Sequence, residues 1–357
     1  MFLGFSSCAE NTNNQGSFIY TGIQSTLSET IDTYLDTNLD NNSPGLSILI
    51  RDNGVEVYSG NRGLANRHTN TSISSDTGFR LASVSKSFTA IAIMQLQEQG
   101  LLKLDDRLLS YIPELPESWQ PITIHHLLSH QSGIPDFIND SLQIEDLDGL
   151  SNDDIVSYYS VNEELEFTPG TQGEYSNTGY LLLAEVIEAV TGATFAEHMR
   201  EAIFEPAGMT NSYITNKNIP LREGDALNYA DRDTFLGINL YTYGSMAQVS
   251  SAKDLGLFAQ ALSDNSLVTA ETLALMLTSH AMTREGASFG YGTSSGTVFG
   301  HLGAWDGFRT TLVLDRETTF ELMILGNGGD DTSTHTKLIR GLLWEFYSEK
   351  TNGENPG

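Results

Sequence analysis

The stretch "SKSFTAIAIMQL" (85–96) constrains the fold more than any other in this chain. After Lys86 it is almost wholly apolar, so it must become a helix buried on most sides. Lys86 then stands in the first turn, where a charge is costly unless it is paired or used. Ser83 lies three residues earlier, and that spacing puts two helical side chains on one face. A helix N-terminus also offers free N–H groups and positive potential, which suit an oxyanion forming at Ser83. A desolvated lysine has a lowered pKa and can take a serine proton. The chemistry indicated is acyl transfer through a serine ester.

Spacing alone does not decide this. Of six lysines, Lys253 also has a serine, Ser250, three residues before it. There, Ser251 and Asp254 have capping-box spacing, which places Lys253 in an exposed first turn. Two further stretches support the Ser83 pair. "FTPGTQGEYSNTGYLLLAEVIEAVTG" places Tyr175-Ser176-Asn177 just before an apolar helix. "VFGHLGAWDGFRTTLVLD" places His301-Leu302-Gly303 on a strand.

Ser83-Val84-Ser85-Lys86, Tyr175-Ser176-Asn177 and His301-Leu302-Gly303 together resemble the three motifs of the serine β-lactamase and penicillin-binding protein superfamily. Tyr175 opening the second motif is similar to the branch of class C β-lactamases, DD-peptidases and related esterases. "ITIHHLLSHQSGIPDF" has the family's phrasing, and the resemblance spans roughly residues 20–345. It implies Ser83 as nucleophile, Lys86 as its proton-transfer partner and Tyr175 as the proton shuttle. Asn177 would hold Lys86 and offer its amide to the substrate. His301 would stand beside Tyr175 as a cationic or hydrogen-bonding group. Gly303 belongs to the same substrate-binding strand, and the N–H groups of Ser83 and Ala304 would form the oxyanion hole. Leu302 replaces a hydroxyl that helps relatives hold a substrate carboxylate, and its side chain donates no hydrogen bond. This leans the reading toward esters, amides or D-peptides rather than efficient β-lactam hydrolysis. Arg284 and Arg309 are the candidates for a replacement anion contact.

The same residues imply an α+β fold of the β-lactamase/DD-peptidase type. Two β-rich runs flank Asp52-Asn53-Gly54, a hairpin signal. Ile19–Leu39 is amphipathic at helical spacing, through Ile23, Leu27, Ile31 and Leu35. Strands return near the C-terminus before a last helix. An antiparallel sheet built from both chain ends, flanked by helices and carrying a mostly helical insert, is the architecture this order implies. The expected boundaries are a tail at 1–17, one hydrolase domain at 18–348 and a tail at 349–357. Within the domain the α/β part takes 18–100 and 237–348, and the insert 101–236.

The balance of 46 acidic against 18 basic residues, a net charge of -28, argues against a nucleic-acid partner. No cofactor or metal is implied. His125, His126 and His130 cluster, but the glutamate of a zinc-binding helix motif is absent. "GTSSG" (292–296) fits a nucleophile elbow around Ser294, yet a strand pattern comes after it where a helix is required, so a turn is expected. The expected partner is a small-molecule or short-peptide substrate. The single cysteine, Cys8, stands after a short apolar start and Ser6-Ser7, like the end of a lipoprotein signal. That points to the cell envelope or periplasm with a lipid anchor at Cys8, with secretion as the alternative. A catalytically silent envelope sensor with this fold is the rival functional reading.

Overall fold

The computed structural model describes residues 27–353 except 139–148, 238–239, 284–285 and 287. Cys8, Ile19, Ile23 and Arg284 lie outside the described residues. The centre of the fold is a five-stranded antiparallel sheet. Its strands are β1 (Leu46–Asp52), β2 (Val55–Arg62), β3 (Val298–Trp305), β4 (Phe308–Asp315) and β5 (Phe320–Gly326), ordered β3-β4-β5-β1-β2. Central β1 pairs Ile48 with Ile324 of β5 and with Gly60 of β2. The sheet is thus built from both ends of the chain, and β3 is left as an edge.

Two of the three hairpins in this sheet turn on a pair of residues. Asn53 and Gly54 take φ of 51° and 73°, and Asp306 and Gly307 take 38° and 87°. Two consecutive positive φ values form the turn whose twist matches antiparallel strands.

The sheet is covered on both faces, which is why β1 and β5 are buried almost throughout rather than alternating. One face packs Ile48, Ile50, Leu322 and Ile324 against Ile31 and Leu35 of α1 (Leu27–Asn38) and Ile339 of α6 (Gly329–Gly353). The opposite face, with Phe299, Leu312 and Leu314, joins the main core. That core centres on α2 (Ser85–Glu98), in which every residue from Ser85 to Leu96 is buried. Three further helices position the site: α3 (Ile124–Leu128), α4 (Asn177–Thr191) and α5 (Ala252–Ser263).

One boundary differs from expectation. The α-helix starts at Ser85, and Ser83 sits on a preceding 3-10 turn, Ala82–Val84. Ala82 takes φ of 48° there, in the left-handed region that costs an L residue about 1 kcal/mol or more.

Candidate active site

The first turn of α2, the start of α4 and the edge strand β3 converge on Ser83. The Lys86 side chain is fully buried, and its Nζ lies 3.3 Å from Ser83 Oγ. It also donates to Asn177 Oδ1 at 2.7 Å and to the Ser245 carbonyl at 3.0 Å. Burial lowers its pKa to about 7, and the negative charge of Asp136 opposes that shift. Lysine can therefore lose its proton near neutrality. When it does, two N–H groups remain, and both fixed carbonyl oxygens can only accept. The nitrogen lone pair is left facing the Ser83 hydroxyl.

Tyr175 lies across from Lys86, with Nζ 4.9 Å from its ring centroid. Burial pushes the phenol pKa well above its ordinary range, and a contact with the Ser83 hydroxyl offsets part of that rise. It is therefore a neutral phenol at rest. Asn177 is the first residue of α4 and bridges two charges. Its Oδ1 accepts from Lys86, while its backbone N–H and its Nδ2 both donate to Asp136 Oδ2 at 2.9 Å. One amide hydrogen of Asn177 is thus already committed to Asp136, which leaves one for a substrate. Between Tyr175 and Asn177, Ser176 caps the helix by accepting the Gly179 N–H at 3.0 Å.

His301 on β3 has its ring 5.9 Å from Tyr175. Its Nδ1 donates to the Leu302 carbonyl at 2.6 Å, leaving Nε2 as an acceptor. Desolvation and then the Lys86 charge lower its pKa to about 4. In this arrangement the ring is neutral and offers Nε2 as a hydrogen-bond acceptor.

Gly303 lets β3 lie against the Ser83 turn. A Cβ there would sit 2.3 Å from the Leu81 carbonyl oxygen and 2.1 Å from Thr310 Oγ1. Thr310 Oγ1 in turn donates to Leu81 O at 2.7 Å, tying the turn to β4. The two-residue hairpin makes Trp305 and Phe308 its closing hydrogen-bonded pair. Alternation along the ladder then leaves Ala304, opposite Arg309, with its N–H pointing out of the sheet edge. Gly300, of the same parity along β3, indeed donates outward, to Thr293 Oγ1 at 3.0 Å.

Other sequence candidates are placed elsewhere. Arg309 is bound to the Phe308 carbonyl and to Asp330 of α6, on the sheet face opposite the Ser83 turn, so it does not supply the expected anion contact. Leu302 is part-exposed at the sheet edge. Ser294 lies in a turn, bridged to Phe289, and a strand rather than a helix comes next. Gly292 of that stretch braces α2 instead, accepting from Ser87 Oγ at 2.6 Å and donating to Tyr180 Oη at 2.7 Å. His125 pairs with Tyr291 Oη at 2.7 Å, and His126 Nδ1 accepts the Thr123 N–H as part of the α3 cap. His130 turns away from both and packs its ring against that of Tyr175 at a tilt of 35°. Sequence reasoning missed Asp136, Ser245 and the placement of His130. The first and last stand in the quoted "LLSHQSGIPDF" segment; Ser245 contributes only a main-chain carbonyl.

A sequence model of the family "Beta-lactamase" matches residues 27–342, nearly the whole described chain. The chain belongs to this family. It is similar to "Penicillin-binding protein 4*" of Bacillus subtilis (strain 168), at 28% identity over 322 residues, covering 82% of this chain and 70% of that one. "Protein flp" of Staphylococcus aureus (strain NCTC 8325 / PS 47) is 27% identical over 300 residues, covering 80% of this chain but 59% of the relative's length. The structure of D-amino acid amidase from Ochrobactrum anthropi SV3 complexed with L-phenylalanine amide superposes with a TM-score of 0.76. It is 26% identical and covers 93% of this chain and 100% of that one. Family and fold make this chain a β-lactamase/penicillin-binding-protein-like protein of serine-hydrolase type.

Proposed function

We propose that this protein cleaves an ester or amide through a Ser83 acyl-enzyme, acting on a small D-amino-acid amide or ester, or a short D-peptide. The observation that carries the reading is the hydrogen-bonding of Lys86, which aims its lone pair at Ser83 Oγ. The named activity of the amidase relative supports the choice of substrate class. In the proposed sequence, Lys86 takes the Ser83 proton as Oγ bonds to the carbonyl carbon. The oxyanion accepts from the Ser83 and Ala304 N–H groups. The C–N or C–O bond then breaks, and Tyr175 gives its proton to the departing nitrogen or oxygen and regains one from Lys86. Water repeats the cycle on the ester, releasing the acid and restoring Ser83. Tyr175 acts as proton carrier rather than resting base, because burial holds its phenol neutral. The leader-like stretch ending at Cys8 supports a location in the cell envelope or periplasm, on a lipid-anchored or secreted chain.

The test is intact-mass spectrometry after brief incubation with p-nitrophenyl butyrate, a penicillin, D-phenylalanine amide and a D-Ala-D-Ala peptide. Product release is read in the same tubes, on wild type and Ser83→Ala. Adduct or product confined to wild type is expected. Neither from any reagent would transfer the reading to a non-catalytic sensor.

A further inference from the structure

His130 is almost fully buried, 46 residues before Ser176 in sequence, and has no part in the steps above. Its ring lies 4.7 Å from that of Tyr175, 5.1 Å from Tyr180 and 4.6 Å from Phe289. Its Nδ1 accepts the Ser176 backbone N–H at 3.1 Å. Its own carbonyl accepts the Glu174 N–H at 2.8 Å, so one residue grips the backbone on both sides of Tyr175. A backbone N–H can only donate, so this Nδ1 carries no proton. The ring is therefore neutral in this arrangement. Burial, and after it the neighbouring charge of Lys86, push its pKa in the same direction.

The backbone of His130 reinforces the point. Its φ is 59°, a left-handed conformation that, glycine apart, asparagine, aspartate and histidine adopt more readily than other residues. The chain bends there to carry the imidazole under the Tyr175–Ser176 peptide. Along the start of α4 the free N–H groups are captured in turn. Ser176 N–H goes to His130, Asn177 N–H to Asp136 and Gly179 N–H to Ser176 Oγ. The first of these fixes the peptide that carries Tyr175.

We propose that His130 is a positioning residue, whose unprotonated Nδ1 clamps the Tyr175–Ser176 peptide and so holds the Tyr175 phenol over Lys86 and Ser83. This rests on the proton-carrying role of Tyr175 proposed above. Two substitutions separate the clamp from simple packing. His130→Asn keeps an acceptor close to the Nδ1 position and tolerates a left-handed backbone, but gives up the ring. His130→Phe keeps the ring and gives up the acceptor.

The experiment measures kcat and KM on the best substrate found for wild type, the thermal midpoint, and crystal structures of both variants. His130→Phe is expected to lose kcat by tenfold or more with KM within about twofold, and its Tyr175 phenol to be displaced. His130→Asn is expected to keep kcat within about threefold and the phenol in place. Wild-type kcat in His130→Phe, or an equal loss in both variants, would overturn the clamp. If His130→Phe does not fold, His130→Ala replaces it under the same criteria. If wild type turns over no substrate, the functional reading fails. The phenol position in the crystal structures still decides the clamp: a Tyr175 unmoved in His130→Phe would refute it.

Discussion

Asp136→Asn gives the most direct access to the proposed base. Asp136 is buried and supplies the negative charge that opposes the lowering of the Lys86 pKa. The two are linked through Asn177, by hydrogen bonds of 2.7 and 2.9 Å across one amide. That puts the charges roughly 7 Å apart, worth about 2 kcal/mol at an effective dielectric constant of 20. Removing the charge should therefore lower the Lys86 pKa from about 7 by a further ~1–2 units. Lys86 is active as a base when neutral, so the rate of wild type rises with pH through about 7. In Asp136→Asn this acid limb of kcat/KM should move to lower pH by that amount. The plateau should also fall, because Oδ2 of Asp136 accepts both N–H groups of Asn177 while Oδ1 accepts the Ile138 N–H, and the NH2 of an asparagine cannot accept at either place. The sign carries over to stability. A lysine with a folded pKa below its unfolded value makes the unfolded chain bind more protons between the two values. Its contribution to stability thus rises with pH across about 7 to 10.5 in wild type, and across a window reaching lower in the variant. The assay is a pH–rate profile on both proteins, with thermal melts at pH 7 and pH 9. An acid limb that stays near 7, or moves upward, would refute Lys86 as the titrating base.

Three smaller perturbations probe other parts of the arrangement. Gly303→Ala should destabilise the fold by about 1–3 kcal/mol in denaturant melts, and reduce turnover, because its Cβ would push Leu81 and the nucleophile turn aside. Leu302→Thr should raise the rate of Ser83 acylation by a penicillin several-fold over wild type without a matching gain on D-phenylalanine amide, as measured by adduct mass against time. Ser251→Ala should cost about 1 kcal/mol of stability in the same melts and leave turnover unchanged, since Ser251 Oγ caps α5 through the Asp254 N–H at 3.1 Å, far from the chemistry.

Legibility in the sequence tracked the range of the interactions. The α2 helix, the Asn53-Gly54 hairpin and the final strands could be read because each carries a local pattern: an apolar run, a turn pair or an apolar stretch between turns. The capping box at Ser251 was legible only in part. Ser251 caps as its spacing predicts, but the Asp254 carboxylate accepts from Asn211 and Ser212 instead of reaching back. The 3-10 turn that carries Ser83 ahead of α2 was not legible, because Ala82 takes a left-handed φ, which no alanine signals. Asp136 and His130 were invisible as site residues for a different reason. Each acts on a partner more than forty positions away, and only the packing of α3 beside α4 sets those pairings. Ser245 acts through its carbonyl, a group every residue has. The motif residues were legible through their resemblance to a family; their supports were not, because a support is defined by where it ends up.

The two serine–lysine pairs show how little spacing alone can fix. Ser83 with Lys86 and Ser250 with Lys253 are identical in sequence separation, and both fall near the start of a helix. Lys253 reaches into solvent and meets Asp76 at 3.0 Å, which raises its pKa and keeps it charged. Lys86 is enclosed by α2 and α4, and its pKa moves the other way. The difference originates in the residues just C-terminal to each lysine. Asp254, directly after Lys253, turns inward to accept from Asn211 and Ser212, which leaves Lys253 on the exposed side of that turn. Ser87, Phe88 and the apolar run after Lys86 draw the whole turn inward, and Asn177 and Ser245 arrive to meet its amine. A lysine beside a serine is thus only a geometric precondition. The proposed base is made by the apolar helix behind it, which removes water, and by two carbonyl acceptors that leave the lone pair one direction to point.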